Sequence, residues 1–201
     1  MAHRYRIILI FSAVFMMVAP GTALAADFTT PWHEHDKLHG YYLSTSVPLA
    51  WRPAIKEAGK AWSDRTKLKW ANPGLTSSTN PTGLPKIVWR GAIPSGWQAG
   101  CPPADTLACT RWTYNTTSNH ITDVDTVFNS SESMGTSDTN CFFGLGTDVQ
   151  TVALHEFGHW GVLGHNDDLL QWSAMTAEYL GCVRTPLQED IDNMNRQYAG
   201  H

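Results

Sequence analysis

The run His-Glu-Phe-Gly-His-Trp-Gly-Val-Leu-Gly-His at residues 155–165 constrains the fold more than any other stretch of the chain. In a helix, residues four apart stand one turn above each other on the same face, so His155 and His159 project side by side. Glu156 leaves the same helix about 100° further round. His165 lies six residues beyond His159, off that turn, and rejoins the other two rings only if the helix stops and the chain bends back. Three imidazole nitrogens would then surround one point and leave a fourth position open, the donor set of a hydrolytic rather than a structural zinc centre. Zinc held by neutral imidazoles keeps its charge, lowers the pKa of its water to about 7 and polarises a nearby carbonyl. The expected metal ligands are His155, His159 and His165. Glu156 is the expected general base, able to take a proton from that water and pass it to a leaving amine.

At the other end of the chain, Arg4 and Arg6 precede an apolar run from Ile7 to Val18, and Ala23-Leu24-Ala25 offers small residues for cleavage. This is the pattern of a secretory signal peptide, with an apolar run too short to span a membrane. Cleavage is expected after Ala25, with Ala26 as the second choice. Residues 26–201 would then form a single catalytic domain, secreted and extracellular. No cysteine at the cleavage site invites a lipid anchor and no later stretch is long and apolar, so no membrane partner is expected. The 201 residues carry 14 Lys and Arg against 18 Asp and Glu, a net charge of −4 that becomes −6 without Arg4 and Arg6. Phosphate binding needs a basic face, so nucleic acid is excluded as a partner. A monomer is expected.

The four cysteines Cys101, Cys109, Cys141 and Cys182 all lie in the exported part. An even count in an oxidising compartment implies two disulfides, and four cysteines allow three pairings. Cys101–Cys109, closing a short loop, with Cys141–Cys182, tying together the segments before and after the histidine run, is the favoured pair. A zinc–thiolate site is the competing reading, but no Cys-x-x-Cys occurs.

Strands are expected at Tyr41–Val47, Leu68–Trp70, Lys86–Arg90, Arg111–Tyr114 and Asp123–Phe128. Pro53–Ser63 reads as a helix with Ile55, Ala58, Ala61 and Trp62 on its apolar face. Asn72–Pro85, residues 91–110 and Asn129–Gly146 read as loops or irregular chain. Thr147, three residues before Gln150, has capping-box spacing and is the expected N-cap of the histidine helix. Leu187, Ile191, Met194 and Tyr198 mark a last amphipathic helix over Pro186–Tyr198. Strands before the run and a helix after it suggest a mixed sheet carrying three helices.

His-Glu-x-x-His-x-x-x-x-x-His resembles the zinc-binding run of the metzincin peptidases, and His155-Glu156-Phe157-Gly158-His159 is similar to the matrixin branch. Metzincins have a methionine turn beneath the metal, and Ser173-Ala174-Met175-Thr176 fits it. Glu189-Asp190-Ile191-Asp192-Asn193-Met194, running on to Tyr198, resembles the closing matrixin helix. The resemblance covers residues 147–199 in specific motifs and the rest only in the order of elements. It implies an α+β fold with a twisted, mostly parallel sheet, an active-site helix and a C-terminal helix. It also implies one catalytic Zn2+, Met175 as packing beneath it, and a protein or peptide substrate laid in extended form along the edge strand. Two departures stand out. The family has glycine where this chain has Val162, and since a β-branched residue resists positive φ the turn is expected to use Gly161, Gly164 or both. No propeptide cysteine precedes residue 101, and a compact unit without a propeptide is more bacterial in character.

Other residues invite secondary readings. Tyr179 is a candidate for the cleft wall or for oxyanion stabilisation. His33, His35 and His39, with Asp27, Glu34 and Asp36, could form a second metal site, although a solvated polar tail is the simpler expectation. Asp123, Asp125, Asp167 and Asp168 are candidate Ca2+ ligands without an EF-hand pattern. Trp62, Trp89 and Trp160 are expected in the core. Two other function classes fit the same residues: a zinc-stabilised binding or adhesion module with weak turnover, and a zinc hydrolase of a non-peptide amide.

Overall fold

Pro53 in the first turn and the spacing of Ile55, Ala58 and Trp62 produce a helix whose buried side faces a sheet. The computed structural model describes residues 33–34, 38–80, 86–104, 106–115, 117, 120–142, 146–166 and 173–199. In chain order the elements are β1 (His33–Glu34), β2 (Leu38–His39), β3 (Tyr42–Ser44), α1 (Arg52–Arg65), β4 (Lys69–Trp70), β5 (Gly74–Thr76), β6 (Ile87–Gly91), β7 (Ala108–Asn115), β8 (His120–Asn129), β9 (Met134–Gly135), α2 (Asp138–Phe142), β10 (Thr147–Asp148), α3 (Val149–Trp160) and α4 (Gln188–Gln197). The expected signal peptide, together with Asp27, His35, Asp36, Asp167 and Asp168, lies outside the described residues.

The architecture is α+β. β5, β3, β6 and β8 run parallel in that order, and β7 closes the sheet as an antiparallel edge strand on β8. β1 adds a short parallel pairing to the first two residues of β8, while β6 pairs with Thr126 to Asn129 at the other end. Two small parallel pairs, β2–β4 and β9–β10, stand apart. The two strands expected at 111–114 and 123–128 form one hairpin, longer than anticipated at both ends. β5, within the expected loop 72–85, was invisible because its residues carry no apolar alternation. Pairing with β3 creates it.

Successive residues of the inner strands point to opposite faces. Val88, Val124 and Phe128 pack with Ile55, Ala58 and Trp62 of α1 and with Val152, Phe157 and Trp160 of α3. Ile87, Trp89 and Val127 pack on the other face with Ile93, Trp97 and Cys109. Helices therefore cover one side of the sheet, and Ile93, Trp97 and Cys101 of the chain after β6 cover the other. Trp62, Trp89 and Trp160 are core residues as expected, and the Trp62 indole donates to Leu154 O of α3 at 2.9 Å. Ile191 and Met194 of α4 and its C-cap Tyr198 are buried, but Leu187 precedes the helix and is exposed.

The cysteines pair as Cys101–Cys109 and Cys141–Cys182, the favoured combination, which disposes of the zinc–thiolate alternative. His39 departs from the solvated-tail expectation. It is fully buried, stacked on Trp70 and edge-on to Trp160, and burial followed by the Lys86 charge holds its pKa well below 6.5. The calcium candidates Asp123 and Asp125 accept from the backbone N–H groups of Lys86 and Ile87, fixing the start of β6. Among the described residues, no helix is long and apolar enough to cross a membrane.

Candidate metal centre

The histidine helix α3 starts one residue later than its sequence suggests. Asp148, not Thr147, is the N-cap: its carboxylate accepts from Thr151 N and Thr151 Oγ1, each at 2.9 Å. Thr147 is held in the β10 pairing with Met134. The acid is the better cap because a buried anion complements the helix dipole and is itself met by Arg184, bonded to both of its oxygens. Arg184 also reaches Asp138 of α2. With the Cys141–Cys182 bridge, these contacts pin the segment after Met175 to the start of α3.

The far end of α3 solves the problem posed by His165. Leu163 N donates to Gly158 O at 3.1 Å and Val162 N to His159 O at 2.9 Å, the paired bonds of a Schellman motif. That motif needs one residue in the left-handed region, and it is Val162 itself, at φ 68°. The expectation that glycine would make the turn is therefore wrong. Gly161 is at φ −83°, and Gly164 is not among the positive-φ glycines. Burial of the Val162 side chain within the core offsets the strain. The reversed chain then carries His165 back across the end of α3.

The three rings converge through their Nε2 atoms. His159 Nε2 lies 3.1 Å from His155 Nε2 and 3.1 Å from His165 Nε2. Nδ1 of His155 lies 2.9 Å from Ala174 O and Nδ1 of His159 lies 2.7 Å from Leu163 O. A carbonyl only accepts, so each Nδ1 donates, and each Nε2 presents a lone pair to its neighbour. Burial, and then the charges of the other histidines, hold the His155 pKa well below 6.5, and His159 is pushed down to about 4 in the same way. Two neutral imidazoles with inward lone pairs, and a third Nε2 at the same spacing, suit a shared divalent cation. Zinc bonds of about 2.0–2.1 Å at tetrahedral angles would separate such nitrogens by roughly 3.3 Å. The trio therefore fits zinc.

Met175 is fully buried and packs against α3 at Gly158. A Cβ on Gly158 would stand 2.1 Å from the Met175 sulfur, so glycine is required for the methionine to approach α3. Gly161 makes the same room for Met194 of α4. Asp190 of α4, also buried, accepts from Ser173 Oγ and from the backbone N–H groups of Ala174 and Leu187. It thereby holds the residue whose carbonyl orients His155. Neither Asp190 nor Ser173 stood out as a site residue in the sequence.

Glu156 is buried on the sheet side of α3 and accepts a bond from Thr110 Oγ1 of β7 at 2.6 Å, through Oε2. Burial pushes its carboxyl up to about 7, with the Thr110 bond pulling the other way. Two residues along β7, the Trp112 indole donates to His159 O at 3.0 Å. Both contacts dock the edge strand on the histidine helix. A cleft of about 710 Å³ opens here, lined by the three histidines, Glu156, Thr110 and Trp112, with Tyr179 in its wall. The Tyr179 hydroxyl accepts from Asp148 N at 3.0 Å. Among the described residues, the other metal-type cluster is Cys141, Asp148 and Cys182, which the disulfide accounts for.

Comparison with known proteins finds no matching family and no similar curated protein.

Proposed function

We propose that the chain is a secreted, zinc-dependent endopeptidase of metzincin type. One observation carries the reading: three imidazole Nε2 atoms, two of them with lone pairs turned inward, meet beside a buried glutamate in a single cleft. His155, His159 and His165 would hold the ion. When bound, it supplies an electrophile that acidifies water and polarises a carbonyl.

The rest of the chemistry belongs to the chain. β7 pairs only with β8 among the described residues, so its outer edge can take an extended peptide as a further strand. Leu107, Val152, Leu180 and Val183 in the cleft lining suit an apolar side chain of that peptide. Among the described residues no hydrogen bond reaches Glu156 Oε1, while Oε2 is occupied by Thr110. Oε1 is therefore the atom that takes the proton of the attacking water and hands it to the leaving amine nitrogen.

The test is hydrolysis of casein and of a mixed peptide library by protein loaded with one equivalent of zinc. Glu156→Ala should keep the zinc and lose about 10²–10⁴-fold in turnover. Full activity in that variant refutes the general-base role, and an inert zinc-loaded wild type refutes the peptidase reading.

A further inference from the structure

A row of hydroxyls runs from the core to the glutamate, fully buried at Thr126 and half-buried at Thr110, where it meets the cleft. The Trp160 indole Nε1 donates to Thr126 Oγ1 at 2.8 Å, Thr126 Oγ1 lies 2.6 Å from Thr110 Oγ1, and Thr110 Oγ1 lies 2.6 Å from Glu156 Oε2. Trp160 and Thr126 are fully buried, and Glu156 is 5% exposed. The two threonines face each other directly across the β7–β8 hairpin, so the strand register brings them together.

The direction of the row is fixed at both ends. An indole N–H can only donate, so Thr126 accepts from Trp160. In the ionised form that a general base requires, Glu156 can only accept, and Thr110 then spends its single proton on its Oε2. Thr110 then has only acceptor capacity to offer Thr126, whose own proton completes the row. Each bond polarises the next. Because the row is anchored in α3 at Trp160 and in the hairpin at Thr126 and Thr110, the last donor is held at one place.

We infer that Thr110 is a positioning residue for Glu156, the terminal donor of a Trp160–Thr126–Thr110 row that ties down Oε2 and leaves Oε1 aimed into the cleft. A carboxylate has two equivalent oxygens and rotates about its last bond. Occupying one of them from a fixed donor selects the orientation of the other. The inference deepens the peptidase reading and rests on it for its kinetic consequence, but the row itself stands on geometry alone.

Thr110→Val removes the donor with little change of volume, and Thr110→Ser restores it. In the zinc-loaded protein, Thr110→Val should lower kcat on the order of 10–100-fold with KM nearly unchanged and one equivalent of zinc retained. Thr110→Ser should recover most of that loss. A second readout needs no turnover. In metal-free protein, Thr110→Val should lower the unfolding midpoint by about 2–4 °C in the wild-type background and by clearly less in a Glu156→Ala background, because the bond is already absent there. Equal shifts in the two backgrounds, or wild-type kcat in Thr110→Val, overturn the inference. A wild type that hydrolyses nothing sinks the peptidase reading alone, and the unfolding cycle still decides whether the row exists.

Discussion

Val162 offers a direct probe of the turn that returns His165 to the metal centre. It is 1% exposed and holds φ 68°, a conformation that costs an L-residue about 1–2 kcal/mol relative to glycine. Truncation to alanine removes two buried methyl groups, and truncation to glycine removes the Cβ as well, worth about a further 0.8 kcal/mol. Glycine also ordinarily loses to alanine by about 0.5–1 kcal/mol through the entropy of the unfolded chain. At an ordinary backbone position Val162→Gly would therefore fall about 1–2 kcal/mol below Val162→Ala. Here glycine should escape about 1–2 kcal/mol of strain that alanine keeps, so the two variants should be about equally stable. In thermal unfolding of metal-free protein their midpoints should lie within about 2 °C of each other, whereas without the strain Val162→Gly would melt roughly 3–7 °C lower. Both variants should fall below wild type. If glycine falls below alanine by that larger margin, Val162 is not in the left-handed region, and the Schellman turn that carries His165 back is wrong.

Other perturbations test the surroundings. Gly158→Ala puts a methyl group into the Met175 sulfur and should cost about 1–3 kcal/mol in urea unfolding; a neutral substitution would mean Met175 does not pack against α3. Asp190→Ala strips the acceptors from Ser173 Oγ and from the Ala174 and Leu187 N–H groups, so zinc affinity measured by chelator competition should weaken about 10–100-fold. Unchanged affinity would show that the Ala174 carbonyl holds His155 without help. Asp125 is buried, with its pKa pushed up to about 7 by burial first and by Asp123 second, against the bond from Ile87. A raised folded pKa contributes stability that is complete below 3.8 and is lost as pH rises through about 7. Asp125→Asn keeps an acceptor for Ile87 and should therefore gain on wild type as pH climbs from about 5 to about 8; a pH-independent difference would contradict the raised value.

The sequence revealed most where chemistry is concentrated in a short run. His155, His159 and Glu156 were legible because helical periodicity fixes where such residues point, and α1, α3 and α4 were legible for the same reason, while β6 showed as an apolar run between turn signals. Both disulfides followed from loop length and from their position around the histidine run. What escaped notice was set by tertiary pairing. β5 exists because β3 offers it an edge. Thr110 and Thr126 meet only through the hairpin register, and two threonines 16 residues apart carry no local mark of it. Asp148 displaced Thr147 as the cap because Arg184, distant in sequence, stabilises it. Val162 defied the steric rule because a buried side chain and two turn hydrogen bonds outweigh the strain of one dihedral.

The central claim is that one zinc ion sits among three imidazoles. X-ray absorption at the zinc edge, on protein titrated to one equivalent, tests it most directly. The account predicts saturation at a single ion, with three imidazole nitrogens at about 2.0–2.1 Å and one lighter oxygen ligand, and loss of one imidazole shell in His165→Ala. Sulfur in the first shell, fewer than three imidazoles, or a His165→Ala spectrum identical to wild type would contradict it.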